Sequence, residues 1–167
     1  MLLQSGCIEA GRQKKIKLPH ISELFQVFRL CSEIPSEILY EADLLGNKLA
    51  FSKDGLFLHG DLHHNNVLWS GSHWMAIDPK GFIGDPAFEF TAFLHNPSPR
   101  LLNTKCPEEM LARRLRHISN YTGINSKKLL DWLHVKTVLC WAWKREDGLK
   151  GEYYKRFIEL VLALRDN

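Results

Sequence analysis

Pro19, Pro35, Pro86 and Pro107 each stand at the head of an apolar stretch, and this punctuation constrains the fold more than any other feature. Proline fits the first turn of a helix, where its missing N–H would have no partner, and breaks a helix interior. After Pro19, the residues Ile21, Leu24, Phe25, Phe28, Cys31 and Ile34 fall on one face at helical spacing. Pro35 and Ser36 restart a second helix with Ile38, Leu39, Ala42, Leu45 and Leu49 as its stripe, and Ser36 is the expected N-cap. Asp85-Pro86 opens a third through Phe88 to Leu94, ended by Asn96-Pro97. Pro107, with Glu108 and Glu109 suited to the helix dipole, opens a fourth that Gly123 closes. Ser126 is expected to cap a fifth, carrying Leu130, Leu133, Val138, Trp141 and Trp143. That helix is apolar on more than one face, which predicts a central buried position. The last, from about Gly151 to Arg165, aligns Tyr154, Phe157, Ile158, Val161 and Leu162.

One region breaks this helical pattern. Leu56 to His59 is a short extended run, and Val67–Trp69 and Trp74–Ile77 read as two strands around Ser70-Gly71-Ser72-His73, a hairpin signal. The expected class is therefore α+β, mainly helical. A chain of 167 residues, 45% of them hydrophobic, can bury one core. Residues 1–18 read as a loose polar lead-in and 19–167 as the domain.

The net charge of +3 is small and its cations are scattered, with Lys14, Lys15 and Lys17 the one short cluster, so nucleic acid is not an expected partner. Cys7, Cys31, Cys106 and Cys140 lie far apart without a Cys-x-x-Cys pair, as free thiols in a reducing cytoplasm do. The first residues lack the basic and apolar stretches of a leader, and Val138 to Trp143 is too short to span a bilayer. A cytoplasmic location without a membrane association is the expectation.

The chemistry concentrates where the helical pattern fails. Residues 59–66 read His-Gly-Asp-Leu-His-His-Asn-Asn, and further on come Ile77-Asp78-Pro79-Lys80-Gly81 and Gly84-Asp85-Pro86. Asp61, on a loop after a strand, can accept a proton from an attacking hydroxyl. Asn66 and Asp78 offer the hard oxygens that Mg²⁺ prefers, and a hairpin can return Asp78 to Asn66 although twelve positions separate them. Asp, Asn and Gly also gather at turns for conformational reasons alone. The joint spacing, rather than any one residue, points to a magnesium-dependent phosphoryl-transfer site. His59 is expected to brace the loop through backbone hydrogen bonds, and Asp85 to play a structural part beside it. Lys80 is a candidate for a phosphate contact. His59, His63 and His64 raise zinc as an alternative, but the stretch reads as strand then loop and no cysteine is close.

These residues resemble the aminoglycoside/hydroxyurea antibiotic resistance kinase family, whose best-known members are streptomycin 6-phosphotransferases. The segment from His59 to Asn96-Pro97 carries most of the likeness, and Leu130-Asp131-Trp132 and Trp141-Ala142-Trp143 extend it. The resemblance implies a protein-kinase-like fold with ATP and Mg²⁺ in a cleft. It makes Asp61 the catalytic base and Asn66 and Asp78 the metal ligands. It also implies an aminoglycoside-like acceptor whose amino groups meet carboxylates of the C-terminal helices, for which Glu146 and Asp147 are candidates.

The sequence departs from that pattern in three ways. His64-Asn65 replaces the usual Pro-Gly, and Glu89 stands where aspartate is common. The chain corresponds to the C-terminal lobe alone, so the phosphate-covering loop and the ATP-orienting lysine of the N-terminal lobe are not expected in it. Impaired activity is the expectation. Two alternatives stand beside it. One is a non-catalytic remnant or half of a split kinase, meeting a separate N-lobe chain or a second copy through its exposed cleft surface. The other is a kinase for another alcohol such as choline or a sugar.

Overall fold

The computed structural model describes residues 17–51, 55–96, 100–146 and 151–165. The described residues are mostly helical, with two small antiparallel sheets among them. The first regular element among the described residues is a 3-10 stretch, Ile21–Phe25, running into α1, Gln26–Leu30. The helix starts two residues past Pro19 because His20 caps it. The His20 ring accepts the Ser22 N–H, and the Glu23 carboxylate accepts the His20 N–H at 3.0 Å. Helix α2 spans Ser36–Ala50, with Pro35, in extended backbone, as its N-cap. Ser36 is thus the first helical residue and not the cap, and no side chain caps this end.

Strand β1, Leu56–Leu58, leads to a 3-10 turn at His64–Asn66, then β2, Val67–Trp69, β3, Trp74–Ala76, and β4, Phe82–Gly84. β2 and β3 form the expected hairpin, with Val67 opposite Ala76 and Trp69 opposite Trp74. β4 was not expected from the sequence. It pairs with β1, Leu56 opposite Gly84 and Leu58 opposite Phe82, so one sheet brackets the 59–66 loop and the other comes directly after it.

Helix α3 spans Pro86–His95, α4 Pro107–Thr122, α5 Ser126–Glu146 and α6 Glu152–Arg165. Gly123 adopts φ of 74°, the left-handed conformation that ends α4. Asn125, one residue before the expected cap Ser126, accepts the Lys127 N–H at 2.8 Å and caps α5.

As its composition implies, α5 is the central helix. Leu129, Trp132, Leu133, Val135, Val138 and Leu139 are wholly buried, and α2, α3 and α6 all pack on it. Phe88 of α3 meets the edge of the Trp132 ring at 5.3 Å, and Phe25 lies 6.4 Å from the same ring. Arg165, near the end of α6, reaches Asp131 of α5 at 3.1 Å and Glu41 of α2 at 3.5 Å, tying three helices together. The helical block forms the base on which the loops and hairpin of residues 59–85 are set. Among the described residues no helix is long and apolar enough to cross a membrane.

Candidate active site

β1 delivers the chain to His59, whose backbone and side chain organise the loop beyond it. Its carbonyl accepts the Lys80 N–H at 2.8 Å, and its Nε2 lies 2.8 Å from the Ile77 carbonyl. A carbonyl can only accept, so Nε2 carries the proton. That tautomer leaves Nδ1 free to accept the Asp61 N–H at 3.3 Å. One histidine therefore links the backbone of Asp61 to the residue before Asp78.

Gly60 has φ of 81°, and a Cβ there would sit 2.5 Å from the Phe82 ring. Only glycine serves both requirements. Its N–H donates to Glu89 Oε2 at 3.3 Å, which fastens the loop to α3, while Glu89 Oε1 is buried without a partner.

Asn66 makes the next connection. Its side-chain N–H donates to the Asp61 carbonyl at 2.9 Å, and its own carbonyl accepts the Ile77 N–H at 3.0 Å. The hairpin register puts Ile77 opposite Asn66, so Asp78 comes one step later. With its amide nitrogen committed to Asp61, Asn66 keeps Oδ1 for another partner. Asp78 is the sole non-glycine residue with positive φ among those described, at 56°. Aspartate tolerates this left-handed backbone better than most residues, at a cost of roughly 1–2 kcal/mol.

The electrostatics join the two carboxylates. Lys80 Nζ lies 3.0 Å from Asp78 Oδ2. The hydrogen bond from Lys80, and then its charge, hold the Asp78 carboxyl below the usual range. The same bond raises the Lys80 ammonium, and the Asp61 charge adds to that rise. One ammonium thus feels both carboxylates. The Asp61 side chain is 32% exposed and 3.8 Å from His63 Nε2, and that of Asp78 is 66% exposed. His64 stacks on Phe93 of α3 at 4.5 Å, and Arg114 of α4 lies 5.8 Å from the same ring. Burial, then the charges of Arg114 and His63, lower the His64 pKa. Beneath the loop, burial pushes the Cys140 thiol of α5 up; Lys136 counters this and the Asp61 carboxylate adds to it.

Asp85 is buried and caps α3 through the Ala87 N–H at 2.9 Å, with Lys128 of α5 as its ion-pair partner. Its bonds lead to α3 and α5 rather than to the backbone of the 59–66 loop. Lys80 is engaged by Asp78. Glu146 ends α5, and its side chain and Asp147 lie outside the described residues. The bond from Gly60 to Glu89 was not expected from the sequence. An acidic residue within Ala87-Phe88-Glu89-Phe90, an otherwise apolar helix turn, was the available signal.

The model of the aminoglycoside/hydroxyurea antibiotic resistance kinase family matches residues 40–148, which include the 59–85 segment and helices α3 to α5. The chain belongs to this family. Among curated proteins it is similar to the streptomycin 3''-kinase of Klebsiella pneumoniae, with 35% identity over 77% of this chain and 49% of that protein. It is also similar to the streptomycin 6-kinase of Streptomyces griseus, at 30% identity over 55% of this chain and 30% of that one. The hydroxyurea phosphotransferase of Kitasatospora aureofaciens is 34% identical over 54% of this chain and 25% of its own length. The chain thus spans about half the length, or less, of the curated relatives it matches. No solved structure matches it.

Proposed function

We propose that residues 59–85 form the catalytic segment of an ATP-dependent phosphotransferase whose acceptor is a hydroxyl of an aminoglycoside-like compound. In this reading the described domain is the C-terminal lobe of a protein-kinase-like fold. The observation that carries it is Asn66, whose amide nitrogen holds the Asp61 carbonyl while its backbone carbonyl holds Ile77, next to Asp78.

Asp61 is the base. Its carboxylate is partly exposed, beside His63, and can receive the proton of an acceptor hydroxyl as that oxygen attacks phosphorus. The residues fit a hard cation: Asn66 retains a neutral amide oxygen, and Asp78 presents a carboxylate kept ionised by Lys80. These two would hold Mg²⁺. Bound Mg²⁺–ATP would supply the phosphoryl group and neutralise its charge. His59 and Glu89 position the loop and touch no reacting atom. Glu146 and Asp147 stay candidates for the acceptor's amino groups.

A second reading is favoured by one feature. Leu56 and Phe57 of β1 and Leu68, Trp69, Trp74 and Met75 of the hairpin are all exposed. Their exposure supports a chain that works with a covering segment, a separate N-lobe or a second copy, and serves as an interaction module rather than as an independent enzyme.

The deciding experiment is mass-spectrometric detection of phosphorylated streptomycin with ATP and Mg²⁺, for the chain and its Asp61→Asn variant. The proposal expects a product that falls by ~10²–10⁴-fold in the variant. Equal rates for the two proteins would remove Asp61 from the chemistry. Absence of product from either, with self-association that mutating Trp69 and Trp74 abolishes, would favour the second reading.

A further inference from the structure

A cavity lies away from the loop chemistry. It has a volume of about 770 Å³ and opens between the start of α4, the start of α5 and the end of α6. None of residues 59–85 lines it, and on α5 it takes only Ser126 and Leu130, at the N-terminal end of the helix. The cavity is therefore distinct from the candidate active site.

Its walls divide by chemistry. Met110, Leu115, Leu130 and Leu164 give an apolar floor, and Leu115 and Leu130 are otherwise buried in the core. Lys105, Arg113 and Arg116 supply three cations at the rim, against one carboxylate, Glu109. Among the described residues, none of these three cations enters an ion pair. Unpaired cations around an apolar floor set a preference for an anionic head on an apolar body. The volume falls within the ~300–1,000 Å³ of small-molecule sites.

We propose that this cavity is a binding site for a small amphipathic anion, one bearing a carboxylate, sulfonate or phosphate on a drug-sized apolar body. The guanidinium groups of Arg113 and Arg116 meet the anion, and the floor of Met110, Leu130 and Leu164 takes the body. The assignment is independent of the phosphotransfer reading. A polycation, such as an aminoglycoside, is disfavoured here by the rim charge.

Amide chemical-shift mapping on the full chain tests it with three probes of one shape: naphthalene-2-sulfonate, 2-naphthylmethanol and 2-naphthylmethylammonium. The sulfonate should produce saturable shifts at residues 104–116, 126 and 130, and bind at least about tenfold more tightly than the alcohol, with the ammonium weakest. Arg113→Glu with Arg116→Glu should weaken the sulfonate by at least about tenfold and leave the amides of 59–66 unmoved. Lys105→Glu alone, at an exposed position before α4, should weaken it less, and decides the matter if the double variant does not fold. Three outcomes would overturn the proposal: equal affinity for sulfonate and alcohol, shifts centred on Trp69 and Trp74, or affinity unchanged by charge reversal.

Discussion

His95 gives the structure a pH dependence that can be worked out in advance. The residue ends α3 and is 5% exposed, with its ring stacked on Tyr154 at 5.9 Å and set edge-on to Phe157 at 4.8 Å. Its Nε2 has no hydrogen-bond partner. Burial, with a smaller contribution from the charge of Lys136, lowers its pKa from 6.5 to about 4. The folded chain therefore resists a proton that the unfolded chain accepts. The stability tied to the neutral ring is complete above the unfolded value, and is lost as pH falls from about 6.5 towards about 4. Integrating over that window gives a loss of about 2 kcal/mol between pH 7.5 and pH 5. His95→Phe keeps an aromatic ring in the same cage and removes the titration. Urea unfolding of both proteins at the two pH values isolates the effect, because every other group cancels in the double difference. The wild-type chain should lose about 2 kcal/mol more than the variant, about 1 M in urea midpoint for a slope of about 2 kcal/mol/M. A double difference below about 0.5 kcal/mol would refute the reasoning and mean that the ring takes its proton without disturbing the core.

The loop is open to two more tests. Gly60→Ala should cost about 2–4 kcal/mol in urea unfolding, from the left-handed backbone and the clash with Phe82, and adding Phe82→Ala should relieve only the steric part; no change in midpoint would show that the loop reshapes freely. Glu89→Ala should cost about 1–3 kcal/mol by stranding the Gly60 N–H, whereas Glu89→Gln keeps an acceptor and should cost less. Equal losses for the two would leave that bond without weight.

Helices α2 to α6 were legible because proline and glycine punctuate an apolar period, and the Val67–Trp69 hairpin because its turn residues are local. The first helix, expected to carry Cys31 and Ile34 on its face, is instead a 3-10 stretch followed by a helix that ends at Leu30, with Cys31 in extended backbone. The caps were misplaced by one residue. Pro35 takes the position expected for Ser36 and leaves that end without a side-chain cap. Asn125 takes the one expected for Ser126, where two neighbouring polar residues carry the same cap signal. β4 escaped because Phe82-Ile83-Gly84, three residues directly after Gly81, have no period to read. Its pairing with β1 is made across a loop and a hairpin. Asp61, Asn66 and Asp78 stood out by spacing. What joins them, the His59 ring and the Glu89 carboxylate, depends on chain segments that meet only after folding. Lys128 as the partner of Asp85, and the reach of Arg165 to Glu41, are likewise consequences of how the helices pack around α5.

The proposed chemistry requires a shared hard-cation position between the amide oxygen of Asn66 and the carboxylate of Asp78, next to the Asp61 loop. Titration with millimolar Mn²⁺, read as paramagnetic broadening of amide signals, tests this without any acceptor or turnover. The Asn66 side-chain amide and the backbone amides of Asp61 and Asp78 should broaden first, and Asp78→Ala should abolish the selectivity. Broadening that begins instead at Glu108 and Glu109, or that is indifferent to Asp78→Ala, would contradict it.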